Sequence, residues 1–174
     1  MSKIASTVAS IAALASAATT ANANEAPAVT FQITGAYSFA DTYDVMAPID
    51  GVIARAGRLT GSWRLVDVAS GASGNAHLNA ATAVRIVPGE TPSLMGTMEL
   101  AMSEHHNSAP GSDVIWLAYE ASGFEMRGPN TTVITVDGRV VGGRGRYVSA
   151  TGDLRVVSIN GFIDNGQLRV RLAR

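Results

Sequence analysis

The sequence predicts an all-β domain, a small closed antiparallel barrel of about eight strands. Three observations carry that prediction. Across residues 29–172 apolar side chains recur with period two, no long segment shows the 3.6-residue period of a helix, and glycines or Asx-Gly pairs break the chain at intervals that suit turns. An open meander of so many strands would expose two unpaired edges, and closure removes both.

The elements follow in order. Residues 29–35 alternate cleanly, with Val29, Phe31 and Ile33 on one face, and a second extended stretch runs through Tyr37, Phe39 and Tyr43. Residues 45–57 read as a loop. Residues 59–68 and 76–87 form a long hairpin around the small-residue turn 69–74, and 94–102 is the next strand. A polar loop at 105–112 leads into a strand at 114–126, which Gly128-Pro129-Asn130 ends. Asp137-Gly138 is a favoured type I′ pair and predicts a hairpin between 132–136 and 139–142. Asp164-Asn165-Gly166 predicts a last hairpin between 154–162 and 167–172.

Composition bounds the chemistry. The 174 residues are 47% hydrophobic and 16% charged with a formal net charge of -1, which is too apolar for disorder and fits one domain over residues 24–174. No uninterrupted apolar run is long enough for a membrane-spanning helix. With no cysteine, disulfides, thiolate metal sites and a cysteine nucleophile are excluded. Residues 1–23 combine Lys3, an Ala-rich apolar stretch and small residues at Ala21 and Ala23, the pattern of a signal peptide cleaved after Ala23. The expected location is therefore periplasmic or secreted.

Cleavage there would remove Lys3, the only lysine, and with it Schiff-base catalysis, a Walker-type phosphate lysine and a serine–lysine dyad. Residues 24–126 hold 4 Arg against 11 acids, and 127–174 hold 8 Arg against 3 acids. The balance is slightly acidic, so a nucleic-acid partner is not expected. An outer-membrane barrel is not expected either, because aromatic residues are only 6% and the last residue is Arg174.

One segment is more specific. Gly142, Gly143, Gly145 and Gly152 are too dense for an ordinary strand and imply bulges or close backbone packing, as at barrel corners. The series Gly142-Gly143-x-Gly145-Arg146-Tyr147-x-x-Ala150-x-Gly152 resembles the late-hairpin signature of the allene oxide cyclase and dirigent-like β-barrel superfamily. That resemblance covers about a quarter of the chain, mainly residues 132–172. It implies an eight-stranded barrel with an apolar cavity, often trimeric, that assists cyclisation or coupling of reactive small molecules without a cofactor. The signature speaks for fold more than chemistry, and no catalytic residue is carried over.

Candidate sites come from polar residues in apolar strands. Glu99 shares a face with Thr97 and Ala101, opposite Met98, Leu100 and Met102. Glu120 shares a face with Trp116 and Ala118, while Tyr119 lies with Ile115 and Leu117. Turned inward, Glu120 and Glu99 would be the acid–base catalysts; turned outward, they are solvated strand residues. Trp63, Trp116 and Tyr119 are expected to wall the cavity or fill the core. Tyr147 could offer its phenol to a ligand or pack over the glycines. Arg146, with Arg64 and Arg85, could bind a ligand carboxylate or form exterior ion pairs. His105 and His106 sit side by side, and a polar loop explains them better than a metal, so no metal site is expected.

The function these readings favour is a cofactor-free barrel that binds a hydrophobic small molecule and directs its cyclisation or isomerisation. The competing readings are a non-catalytic, lipocalin-like carrier and a structural homo-oligomer, a homotrimer or homodimer.

Overall fold

Period two in sequence becomes period two in burial. Along β3 (Ser73–Ile86), Ala76, Leu78, Ala80 and Thr82 are buried while Asn75, His77, Asn79 and Ala81 are exposed. The computed structural model describes residues 27–45, 51–102 and 113–173. The signal-peptide segment 1–23 and the loop carrying His105 and His106 lie outside the described residues.

The other strands are β1 (Ala28–Asp44), β2 (Ile53–Asp67), β4 (Ser93–Met102), β5 (Val114–Met126), β6 (Thr132–Arg144), β7 (Thr151–Ile159) and β8 (Phe162–Arg171). Each pairs antiparallel with the next, and β1 pairs with β8 through Val29↔Val170 and Phe31↔Leu168, so the eight strands close into a barrel. No strand keeps a free edge. Ile33, Leu65, Leu100, Ile115, Leu117 and Leu168 fill its axis and are fully buried.

An interior of this width holds large side chains only where the facing strand gives way. The register shows how. Trp63 lies opposite Gly35, Tyr37 opposite Gly61, and Tyr119 opposite Gly96. A Cβ on Gly61 would stand 2.3 Å from the Ala36 carbonyl oxygen, and one on Gly96 would stand 2.9 Å from the Tyr119 hydroxyl. Glycine across the strand is the condition for Trp63, Tyr37 and Tyr119.

Three expectations need correction. β6 runs straight through Asp137-Gly138, because Gly138 is used for packing: a Cβ there would meet the Leu154 Cβ at 3.3 Å. Residues 164–166 likewise lie within β8, and the β7–β8 turn is made by Asn160-Gly161, with φ of 51° and 83°, a pair suited to a type I′ hairpin. Finally, β2 begins at Ile53, inside the segment read as a loop, and β1 continues unbroken to Asp44.

Gly61→Ala is expected to lower stability by about 1–3 kcal/mol through overpacking. Gly123→Ala, whose Cβ would meet Thr135 at an ordinary 3.4 Å, should change it little. Urea unfolding midpoints check the pair, and equal midpoints would contradict the packing argument.

Candidate functional site

Closure decides which face of each strand turns inward. In β5 it is the face of Ile115, Leu117 and Tyr119, and in β4 that of Met98, Leu100 and Met102. Glu120 and Glu99 therefore stand on the outer wall, exposed, as does Trp116 at 42% exposure. The inward placement of Glu120 beside Trp116 is corrected: the interior is apolar and would desolvate a carboxylate, and the fold places both acids on the exposed face. Trp116 does not wall the cavity, and Arg146 is exposed at the base of the barrel.

Of the residues expected to line the interior, Trp63 and Tyr119 do. With Tyr37, Leu59, Met98 and Val156 they bound an apolar pit of about 30 Å³ near the end where β1 meets β2 and β3 meets β4. The pit has few polar atoms. The Tyr119 hydroxyl and Thr82 Oγ1 share a hydrogen bond of 2.5 Å, and the Tyr37 hydroxyl and Ser158 Oγ share one of 2.7 Å. Trp63 is 1% exposed, and its indole Nε1 is the one buried side-chain nitrogen or oxygen among the described residues without a hydrogen-bond partner. An indole N–H can only donate, so this is a donor waiting for an acceptor.

Tyr37, Thr82 and Ser158 were missed in the sequence. The signal was present: Thr82 continues the inward series of Ala76, Leu78 and Ala80, and Ser158 continues that of Leu154 and Val156. Burial pushes the phenols of Tyr37 and Tyr119 above their ordinary value, against a smaller lowering by their hydroxyl partners. At neutral pH both keep their protons, so each can donate or accept a hydrogen bond and neither acts as a base.

The signature segment forms a clamp at the other end. A single 3-10 turn, Gly145–Tyr147, presents the Arg146 backbone N–H to Asp113 Oδ1 at 3.0 Å and Arg146 Nε to Asp113 Oδ2 at 2.6 Å. Asp113 is buried, and the Arg146 guanidinium lies 5.6 Å from the centre of the Tyr147 ring. Tyr147 packs over Gly143, where a Cβ would come within 2.7 Å of the tyrosine Cβ. Tyr147 thus packs over the glycines, and with Arg146, Val29 and Phe31 it also lines a recess of about 120 Å³ at this end. Of the other arginines, Arg85 pairs with Glu90 at 3.8 Å across exposed side chains, and Arg64 is exposed.

Comparison of the chain with protein-family models, with curated proteins and with solved structures finds no match.

The buried phenols set a pH dependence. An unfolded tyrosine ionises near 10.0, while Tyr37, Tyr119 and Tyr147 hold their protons to higher pH in the fold. Their contribution to stability is complete below the unfolded value and is lost as pH rises through it towards the folded values. Phenolate absorbance should rise late and together with unfolding. Ordinary titration of all tyrosines in a folded barrel would contradict the burial.

Proposed function

We propose that the barrel binds a small hydrophobic molecule carrying a hydrogen-bond acceptor, held in the interior at the pit of Tyr37, Trp63 and Tyr119. The observation that carries this reading is the unpaired Trp63 N–H at an apolar wall. Buried donors in folded proteins are nearly always paired, and a ligand carbonyl or ether oxygen would complete this one. A pit of about 30 Å³ has room for little more than a water molecule. A ligand would therefore enter by displacing side chains at the mouth, where Phe39 is 46% exposed and Leu94 is only partly buried.

Binding is the conclusion, and cyclisation or isomerisation is its extension. Confinement would fix the ligand's conformation, and the protonated phenols of Tyr37 and Tyr119 would donate to a developing oxyanion without a cofactor. The signature at residues 142–152 supports the extension through its resemblance to allene oxide cyclase and dirigent-like barrels. The carrier reading has its own support: among the residues bounding the pit, none ionises near neutral pH. The leader-like segment 1–23 supports action after export.

A thermal-shift and tryptophan-fluorescence titration of the purified protein against fatty acids, cyclic ketones and polycyclic phenols tests the proposal. Ligand at a hundred times its Kd should stabilise the fold by about 2.7 kcal/mol. Trp63→Phe keeps an aromatic ring at the site and removes the donor, so it should weaken binding about tenfold, close to 1.4 kcal/mol. An unshifted midpoint across the panel, or undiminished affinity in Trp63→Phe, would overturn it.

A further inference from the structure

The outer wall holds a second aromatic whose placement the interior does not explain. Trp116 is 42% exposed on β5, in register with Glu99 of β4 on one side and Gly142 of β6 on the other. Its indole Nε1 donates to Glu99 Oε2 at 3.3 Å, and its Cε3 edge lies 3.7 Å from where a Gly142 Cβ would be. A ring that reaches both neighbouring strands lies flat on the sheet. Gly142 is buried, consistent with the indole covering it, and its missing side chain leaves nothing to prop the ring upright. One face of the indole is thereby spent on the barrel, and the other is presented outward.

Trp116 stands in an open groove of about 740 Å³ along the outer wall, within the size range of ligand clefts. Polar groups of both senses surround the platform. Glu99 offers acceptors, Asn79 a donor and an acceptor, and Thr97 a hydroxyl, all exposed. At the far end Arg58 and Asp41 form an exposed pair at 3.7 Å. We propose that this groove binds a neutral carbohydrate, with a pyranose ring stacked on Trp116 and its hydroxyls hydrogen-bonded to Glu99, Asn79 and Thr97. A sugar ring has an apolar C–H face and an edge of hydroxyls that both donate and accept, the complement of a flat indole ringed by mixed polar groups. A nucleotide base could also stack, but Glu99 and Asp41 repel its phosphates and the groove's arginine is already matched by Asp41. This site is separate from the interior pit.

Affinity electrophoresis of the purified protein through gels containing hydroxyethyl cellulose, glycol chitin, xylan or galactomannan tests the proposal. At least one polysaccharide should retard the protein saturably. Trp116→Ala should weaken that binding tenfold or more, a loss typical of a removed stacking platform. Asn79→Ala, which leaves the indole in place, should give a smaller loss, while Glu125→Gln, exposed on β5 outside the groove, should bind as the parent does. Absence of retardation in every gel overturns the proposal, as does full retardation of Trp116→Ala. A Trp116→Ala protein whose light-scattering mass falls from a multiple of the chain to one copy would assign the groove to a second copy and overturn it too.

Discussion

The width of an eight-stranded barrel is the constraint on which the rest of this structure depends. Such a barrel closes around a space that ordinary aliphatic side chains already fill. Trp63, Tyr37 and Tyr119 enter it because Gly35, Gly61 and Gly96 stand opposite them and let the rings lie against bare backbone. The same device recurs at the base, where Tyr147 covers Gly143, and on the outer wall, where Trp116 covers Gly142. Glycine, costly to a strand by itself, is here the partner of an aromatic ring.

That packing also decides where chemistry can occur. It leaves the interior a narrow apolar pit in which polar atoms occur as phenol–hydroxyl pairs, and it strands one indole N–H without an acceptor. Glu99 and Glu120 are kept outside, where Glu99 steadies Trp116, and Asp137 pairs with Arg155 across β6 and β7 at 3.7 Å. The one buried carboxylate the described residues show, Asp113, is matched by Arg146 and by a backbone N–H, as burial of a charge requires. It holds the Gly145–Tyr147 turn rather than facing the pit.

Much of the fold was legible in the sequence because alternation is a local property. The strand series, the residues sharing a face with Glu99 and with Glu120, and the closing logic of the barrel follow from period two and from the aversion to free edges. Which face turned inward was less legible. On β5 both faces carry apolar residues, with Trp116 and Ala118 on one and Ile115 and Leu117 on the other, and only pairing with β4 and β6 settles the choice. Turn chemistry misled for a related reason. Asp137-Gly138 has the composition of a hairpin, yet Gly138 serves the packing within an unbroken β6, and the last hairpin turns at Asn160-Gly161 rather than at residues 164–166. The pit's hydroxyls were hidden because Thr82 and Ser158 look like ordinary polar strand residues until their face is known.

The proposed function places a hydrophobic ligand in the barrel interior and not against the outer carboxylates. Native mass spectrometry of the protein purified from the cells that make it tests this most directly. The expected result is a small-molecule mass carried by each folded chain and released on denaturation, with the retained compound bearing an oxygen acceptor on an apolar frame. Folded and denatured chains of identical mass would contradict it, and would leave the interior a packed core.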